Sequence, residues 1–215
     1  MTQTTQHTLV DLIAWLADNK YMLGRRFSEW TNRAPTLEAA VAAAAMAQDE
    51  LGHARSLYAA LRNVPDAPEA YLNEEKRERL LHMPLLNQSF EHWADFVAAS
   101  ALLDRALTLV FEAARESTHE PLRQRAAKIL QEEWFHRQYG VGWLKKMAGD
   151  EATHDAMQVA VNRVWSPTLE WIGGGYNGSI VAGGILNASA EALSSRWVSE
   201  AKSLLAECGL MIYER

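Results

Sequence analysis

Glu50 and His53 stand three residues apart in "QDELGH", and Glu133 and His136 repeat that spacing in "EEWFH". On a helix, residues three apart share a face, so each pair sets a carboxylate beside an imidazole. Two such pairs from different helices, completed by a carboxylate from each neighbouring helix, form the donor set of di-iron and di-manganese carboxylate bundles. A centre of that kind binds metal and handles redox chemistry.

Spacing alone is weak support. With 19 Glu and seven His in 215 residues, chance gives roughly 0.6 Glu-x-x-His pairs, a composition estimate against which any motif reading is weighed. The chain has four. Glu116 with His119 straddles a helix end beside Pro121, and Glu151 with His154 opens a helix in the polar "GDEATHD". Both are read as solvated. Glu50 instead has Met46, Ala47 and Ala54 at helical spacing, and Glu133 has Ile129 and Leu130, so these two pairs face a core. An ionised carboxylate buried without a partner costs several kcal/mol. Two in one core demand a counter-charge, which a metal ion supplies.

The elements that must position these groups are helices. Apolar residues recur at three and four residue intervals nearly throughout, with few β-branched runs, and Pro and Gly fall in clusters. Helices are expected over His7–Asn32, Leu37–Arg62 with Thr36 as cap, Gln88–Glu116, Pro121–Met147, Glu151–Ile172 and Asn187–Cys208. A short connecting helix is expected within "NEEKRERLLHM", whose charged run is a solvated face, and "GGGYNGSIVAGG" is expected to be a plain loop. Two long hairpins joined by a longer crossover describe an all-α, ferritin-like up-down four-helix bundle. Residues 1–172 would form it, and residues 173–215 would add the Gly-rich loop and a C-terminal helix packed on the bundle.

Hairpin register tests the donor set. Residues equally far from a turn lie at the same height, so the turn near Ala34 puts Glu50 opposite positions 18 to 20, and the turn near Thr118 puts Glu133 opposite 102 to 105. Asp104 fits the carboxylate role there. Asp104 precedes Glu133 by 29 residues and Lys20 precedes Glu50 by 30, so the other expected carboxylate is a lysine. Asp18 lies about 200° around the helix from that position, and Glu29 lies some 13 Å along it, at about 1.5 Å rise per residue.

With these residues in place, the chain resembles the ferritin-like subunits of the bacterial phenylacetyl-CoA epoxidase. The resemblance rests on "SEWTNRAPTLEAAVAAAAMAQDELGHARSLY", "LLDRALTLVFEAARE" and "AAKILQEEWFHRQYGVGWLKKM", and covers about residues 18 to 172. "QDELGH" is similar to the metal motif of the catalytic subunit, whereas "AMQVAVNRVWSPTLEW" and "LSSRWVSEAKSLL" are more similar to the companion structural subunit. The resemblance implies iron, as a di-iron site with manganese as an alternative, held by Glu50, His53, Asp104, Glu133 and His136, with Lys20 at the altered ligand position. Each histidine would ligate one iron through one ring nitrogen. It further implies an oxygenation of phenylacetyl-CoA, a reductase component, and a second ferritin-like subunit or homodimer.

Lys20 leaves three outcomes open: an ammonium replacing metal charge, a deprotonated ligand, or a side chain pointing out of the bundle. Three functions follow in parallel: an oxygenase component with an altered di-metal site, a non-catalytic subunit, or a ferritin-like metal bundle of unrelated role. Trp134, Phe135 and Tyr139, next to the motif, are read as packing residues rather than a substrate channel. A net charge of -6, without a basic cluster, points away from nucleic acid. The single Cys208 excludes an intramolecular disulfide, and the start lacks a basic, then apolar leader, so a cytoplasmic protein is expected. Charged residues interrupt every apolar run before 18 residues, so no membrane span is expected.

Overall fold

The long apolar-periodic segments are rich in Ala, Leu, Glu, Gln and Arg, which lose little freedom on entering a helix, and in the computed structural model each becomes one. The structure describes residues 9–62, 64, 67, 80–174 and 178–212, and no strand occurs among them. Helices α1 (Leu9–Ser28) and α2 (Leu37–Leu61) form the first hairpin. The second pairs α5 (Glu120–Ala148) with a longer helix built from α3 (Trp93–Ala98), a π-helical turn (Ala99–Leu103) and α4 (Asp104–Ala113). Outside these lie α6 (Glu151–Gly173), α7 (Gly178–Ala182) and α8 (Ala190–Glu207).

Caps fix the ends that set the hairpin registers. Thr36 accepts from the Ala39 N–H at 3.1 Å to start α2. His119 starts α5, its Nδ1 accepting from the Leu122 N–H at 3.3 Å. That assigns the His119 of the third motif to capping. His154 of the fourth motif binds the Ala148 carbonyl through Nδ1 at 2.7 Å, so neither joins the other pairs.

The core lies between the hairpins. Every residue from Leu12 to Lys20 is buried, because α1 is covered by α2, by the end of the crossover and by outer helices. Trp15 stacks on Trp171 with ring centroids 3.9 Å apart. The α2 helix packs on α5, α6 covers α3 and α5, and α8 lies on α6 and α4.

Several expectations need correction. α1 ends at Ser28 rather than Asn32, and the following turns carry Trp30 into the core, edge-on to Trp93. The third helix starts at Trp93 rather than Gln88, because the crossover enters through a 3₁₀ turn at Pro84–Asn87 and a capping box at His92 and Asp95. Most of "NEEKRERLLHM", including its charged run, lies outside the described residues; Leu80 to Met83 are not helical. The Gly-rich stretch is not a plain loop either, since Gly178–Ala182 is a helical turn anchored by buried Ile180. Gly184 then adopts φ +68°, and its carbonyl accepts from the Thr118 N–H at 2.9 Å. Local glycine content lost here to one apolar anchor and a tertiary hydrogen bond.

No helix among the described residues is long and apolar enough to cross a membrane.

Candidate functional site

The two core-facing motifs and both hairpin partners converge on one point. Lys20 of α1, Glu50 and His53 of α2, Asp104 of α4, and Glu133 and His136 of α5 are all buried. The Lys20 ammonium is at the centre. Its Nζ lies 2.6 Å from Asp104 Oδ1, 2.6 Å from Glu133 Oε1 and 3.0 Å from both oxygens of Glu50. The side chain is fully buried and points into the bundle, so the outward-pointing alternative does not apply.

The arrangement has an internal two-fold logic. His53 Nδ1 faces Glu133 Oε1 of the opposite motif at 3.4 Å, and His136 Nδ1 faces Glu50 Oε1 at 3.2 Å. On the outer side His53 Nε2 binds Glu132 at 2.6 Å, and His136 Nε2 binds Asp49 at 3.2 Å. Each motif is therefore an acid followed by Glu-x-x-His, with the leading acid holding the histidine of the other motif. Asp49 and Glu132 were not singled out from the sequence, although the doubled acids "DE" and "EE" are its signal. One residue back turns about 100° around a helix, from the core face toward the neighbouring helix.

Electrostatics follow from the burial. Burial alone would lower the Lys20 pKa, but Asp104, Glu133 and Glu50 override it and hold the ammonium well above its ordinary value. Burial and the nearby Asp104 raise the Glu50 carboxyl, against the opposing pull of Lys20. Glu133 goes the other way: Lys20 and both histidines overcome its burial and hold it well below the carboxylate range. His136 is pushed up to about 12, its carboxylate partners Asp104, Asp49 and Glu50 outweighing burial. His53 is raised for the same reason, through Glu133 and Glu50. The Lys20 ammonium and the inward-facing imidazole nitrogens thereby share three carboxyl groups inside the bundle.

The remaining polar neighbours on α1 serve the fold. Asp18 accepts from the Tyr58 hydroxyl and from the Leu81 N–H, while Asn19 donates to the Leu81 carbonyl and accepts from the Met83 N–H at 2.9 Å. They pin the end of the crossover onto α1, and Asp18 does not reach the cluster. Glu29 sits far off, paired with Arg26 at 3.0 Å. Thr108, one turn beyond Asp104, brings its hydroxyl to 3.0 Å from Glu133 Oε2.

Four residues could share a cation: Glu50, Asp104, Glu133 and His136 each offer one ligand atom, all within 4.8 Å of one another. His53 stands outside that group. A two-metal centre of this architecture uses a carboxylate from each of the four helices, whereas α1 supplies an ammonium bonded to all three of the others. The residues present thus fit one central cation, which is Lys20, and do not fit a metal pair.

Trp134 and Phe135, expected to pack, are 57% and 66% exposed. They occupy the two positions between Glu133 and His136, and with those two side chains turned inward the aromatics must face out. Between α2 and α5 a cleft of about 240 Å³, lined by Gln48, Gly52, Ser56 and Lys128 among others, opens the outer side of His53 to solvent.

Comparison with known proteins follows the same lines. The family model described as "phenylacetic acid catabolic protein" matches residues 1–214. Over 174 residues the chain is 31% identical to one component of the 1,2-phenylacetyl-CoA epoxidase of Escherichia coli (strain K12), covering 79% of this chain and 68% of that one. Over 172 residues it is 29% identical to another component of the same epoxidase, covering 80% of this chain but only 53% of that one. The chain thus spans about half the length of this second relative.

Proposed function

The chain belongs to the phenylacetic acid catabolic protein family, and from that premise we propose that it is the non-catalytic, structural bundle of a multisubunit monooxygenase of the 1,2-phenylacetyl-CoA epoxidase type. In this reading a second ferritin-like subunit holds the iron and the aryl-CoA, a reductase delivers electrons, and this chain supplies a rigid helical partner.

One observation carries the proposal: the buried Lys20 Nζ lies within 3.0 Å of all three central carboxylates. A buried ion pair with such geometry, further tied by histidines, satisfies the carboxylates without metal. The cluster that would bind and activate oxygen in a catalytic subunit serves here to hold four helices in register.

A second reading keeps a single metal ion, and a specific feature favours it. The Nδ1 atoms of His53 and His136 both face the central carboxylates while both Nε2 atoms are anchored on outer carboxylates, an arrangement common among histidine metal ligands.

Iron and manganese per chain, measured on protein grown in metal-supplemented medium beside a Glu50→Ala, Glu133→Ala double variant, separate the two. The structural reading expects equal, near-zero metal in both proteins. Stoichiometric metal in the natural chain that disappears in the double variant supports the second reading and rejects the first. Co-expression with a catalytic-type subunit tests the assembly: the structural reading requires a stable complex whose epoxidation depends on both chains.

A further inference from the structure

We propose that the cleft between α2 and α5 is a binding site for a small anion bearing a carboxylate or phosphate group, held by Arg125 and Lys128. The proposal rests on the charges and the open space of that cleft and stands apart from the functional reading above.

The acids and bases that line this cleft are not paired with one another. Glu132 turns Oε2 to His53 Nε2 at 2.6 Å, and Asp49 turns Oδ2 to His136 Nε2 at 3.2 Å. Each acid is thus engaged by an imidazole of the central cluster. Lys128 stands four residues before Glu132, a spacing at which lysine and glutamate can meet on a helix surface, yet they form no ion pair because Glu132 is turned to His53. Arg125, three residues before Lys128 on the same face, has its Nε buried without a hydrogen-bond partner. Among the described residues neither cation has a carboxylate partner. Two positive side chains with unused donors therefore line a space of about 240 Å³.

The facing helix keeps that space open. Gly52 of α2 lines the cleft, and nothing lies within 4 Å of a would-be Cβ there. Glycine is among the poorest residues for a helix interior, and an unfilled cleft gives it a use that no contact within the chain does. Buried Ile129 adds an apolar patch to the lining. The chemistry then sets the class of ligand. A guanidinium offers parallel N–H groups that match two oxygens of a carboxylate or phosphate, and an ammonium adds a compact second charge. The space is below the roughly 300–1,000 Å³ of sites for drug-sized ligands, so the occupant is small. Asp49 and Glu132 on the same lining repel extended polyanions, which restricts the site to a single anionic group.

Calorimetric titration of the full-length protein with inorganic phosphate, and separately with benzoate, tests this. At least one of the two should bind at one site per chain, and the one that binds more tightly assigns the head group. Arg125→Gln and Lys128→Gln should each weaken that binding about tenfold or more, the loss of one charge-assisted contact, with helical content unchanged. Gly52→Leu occupies the cleft while leaving both cations in place. It should abolish binding without lowering the thermal midpoint, because leucine is the better helix former. Lys146→Gln removes a cation of the same helix that lies over Trp143 and outside the cleft, and should bind as the natural chain does. Absence of binding by either anion overturns the proposal. Binding that survives both Arg125→Gln and Lys128→Gln also overturns it, as does binding that weakens equally in Lys146→Gln.

Discussion

Lys20 Nζ and Asp104 Oδ1 stand 2.6 Å apart at positions that the two hairpins make equivalent. Each belongs to the helix preceding an acid-Glu-x-x-His motif, by 30 and 29 residues. The bundle is a near-repeat in which one of these equivalent positions carries a carboxylate and the other an ammonium. The pair thus forms a buried salt bridge, and Lys20 gives Glu50 and Glu133 a common donor.

If Lys20 is the internal counter-charge, removing it must cost far more than an ordinary core change. Lys20→Met preserves length and volume but leaves three buried carboxylates with only the histidines and the Thr108 hydroxyl as partners. Loss of one partner from a buried pair typically costs about 3–5 kcal/mol. Denaturant unfolding should show a loss of that size. An unchanged midpoint would show that Nζ is not what holds the carboxylates.

Metal dependence should be absent in the natural chain and created by one substitution. On the structural reading, dialysis against a chelator is expected to leave its thermal midpoint unmoved, since no bound ion would then contribute to folding. Lys20→Glu completes four carboxylates and two histidines, and should bind manganese or iron with a rise in thermal midpoint on metal addition. Failure of the variant to bind either metal would mean that replacing Lys20 is not enough to convert the cluster into a metal site.

Much of this site was legible because hairpin geometry is simple. Counting outward from the turns near Ala34 and Thr118 places Lys20 opposite Glu50 and Asp104 opposite Glu133, and the structure puts all four within one cluster. The orientation of Lys20 was not legible, because an ammonium on a flexible stem can point inward or outward, and only the packing around α1 chooses. Asp49 and Glu132 were hidden for a different reason: they act across helices, which periodicity on one helix does not reveal. The exposure of Trp134 and Phe135 contradicts the usual rule for aromatics, since Glu133 and His136 take the inward face.

The C-terminal helix is fastened by charge, and that fastening should fail in acid. Glu200 on α8 binds Arg105 at 2.8 Å and Arg137 at 3.2 Å. These guanidinium groups overcome partial burial and hold its carboxyl at about 2, below the ordinary 4.5. An unfolded chain therefore takes up this proton first as pH falls, so the stabilisation is complete above about pH 4.5 and is lost toward pH 2. Because Glu200 is partly exposed, solvent screening limits the effect to about 1 kcal/mol. Comparing unfolding of the natural chain and Glu200→Gln across that range should show curves that differ at pH 6 and converge in acid; a constant gap would assign the contribution to packing.

The π-helical turn that precedes Asp104 depends on a glycine in the facing helix. A Cβ at Gly140 would stand 2.6 Å from Ser100 Oγ and 2.9 Å from the Ala101 nitrogen, distances at which something must move. Elsewhere in a helix Gly→Ala stabilises by up to about 1 kcal/mol, but here α5 would be pushed off the π turn, with a net cost of about 1–3 kcal/mol typical of overpacking. Asp104 begins the very next turn and Glu133 and His136 lie on the pushed helix, so the displacement should also loosen the Lys20 cluster. Gly140→Ala is thus expected to lower the unfolding midpoint. Adding Ser100→Ala should recover only part of the loss, because the Ala101 backbone nitrogen remains in the way. Full recovery in the double variant would show that the hydroxyl alone sets the close approach and that the π turn has room to spare.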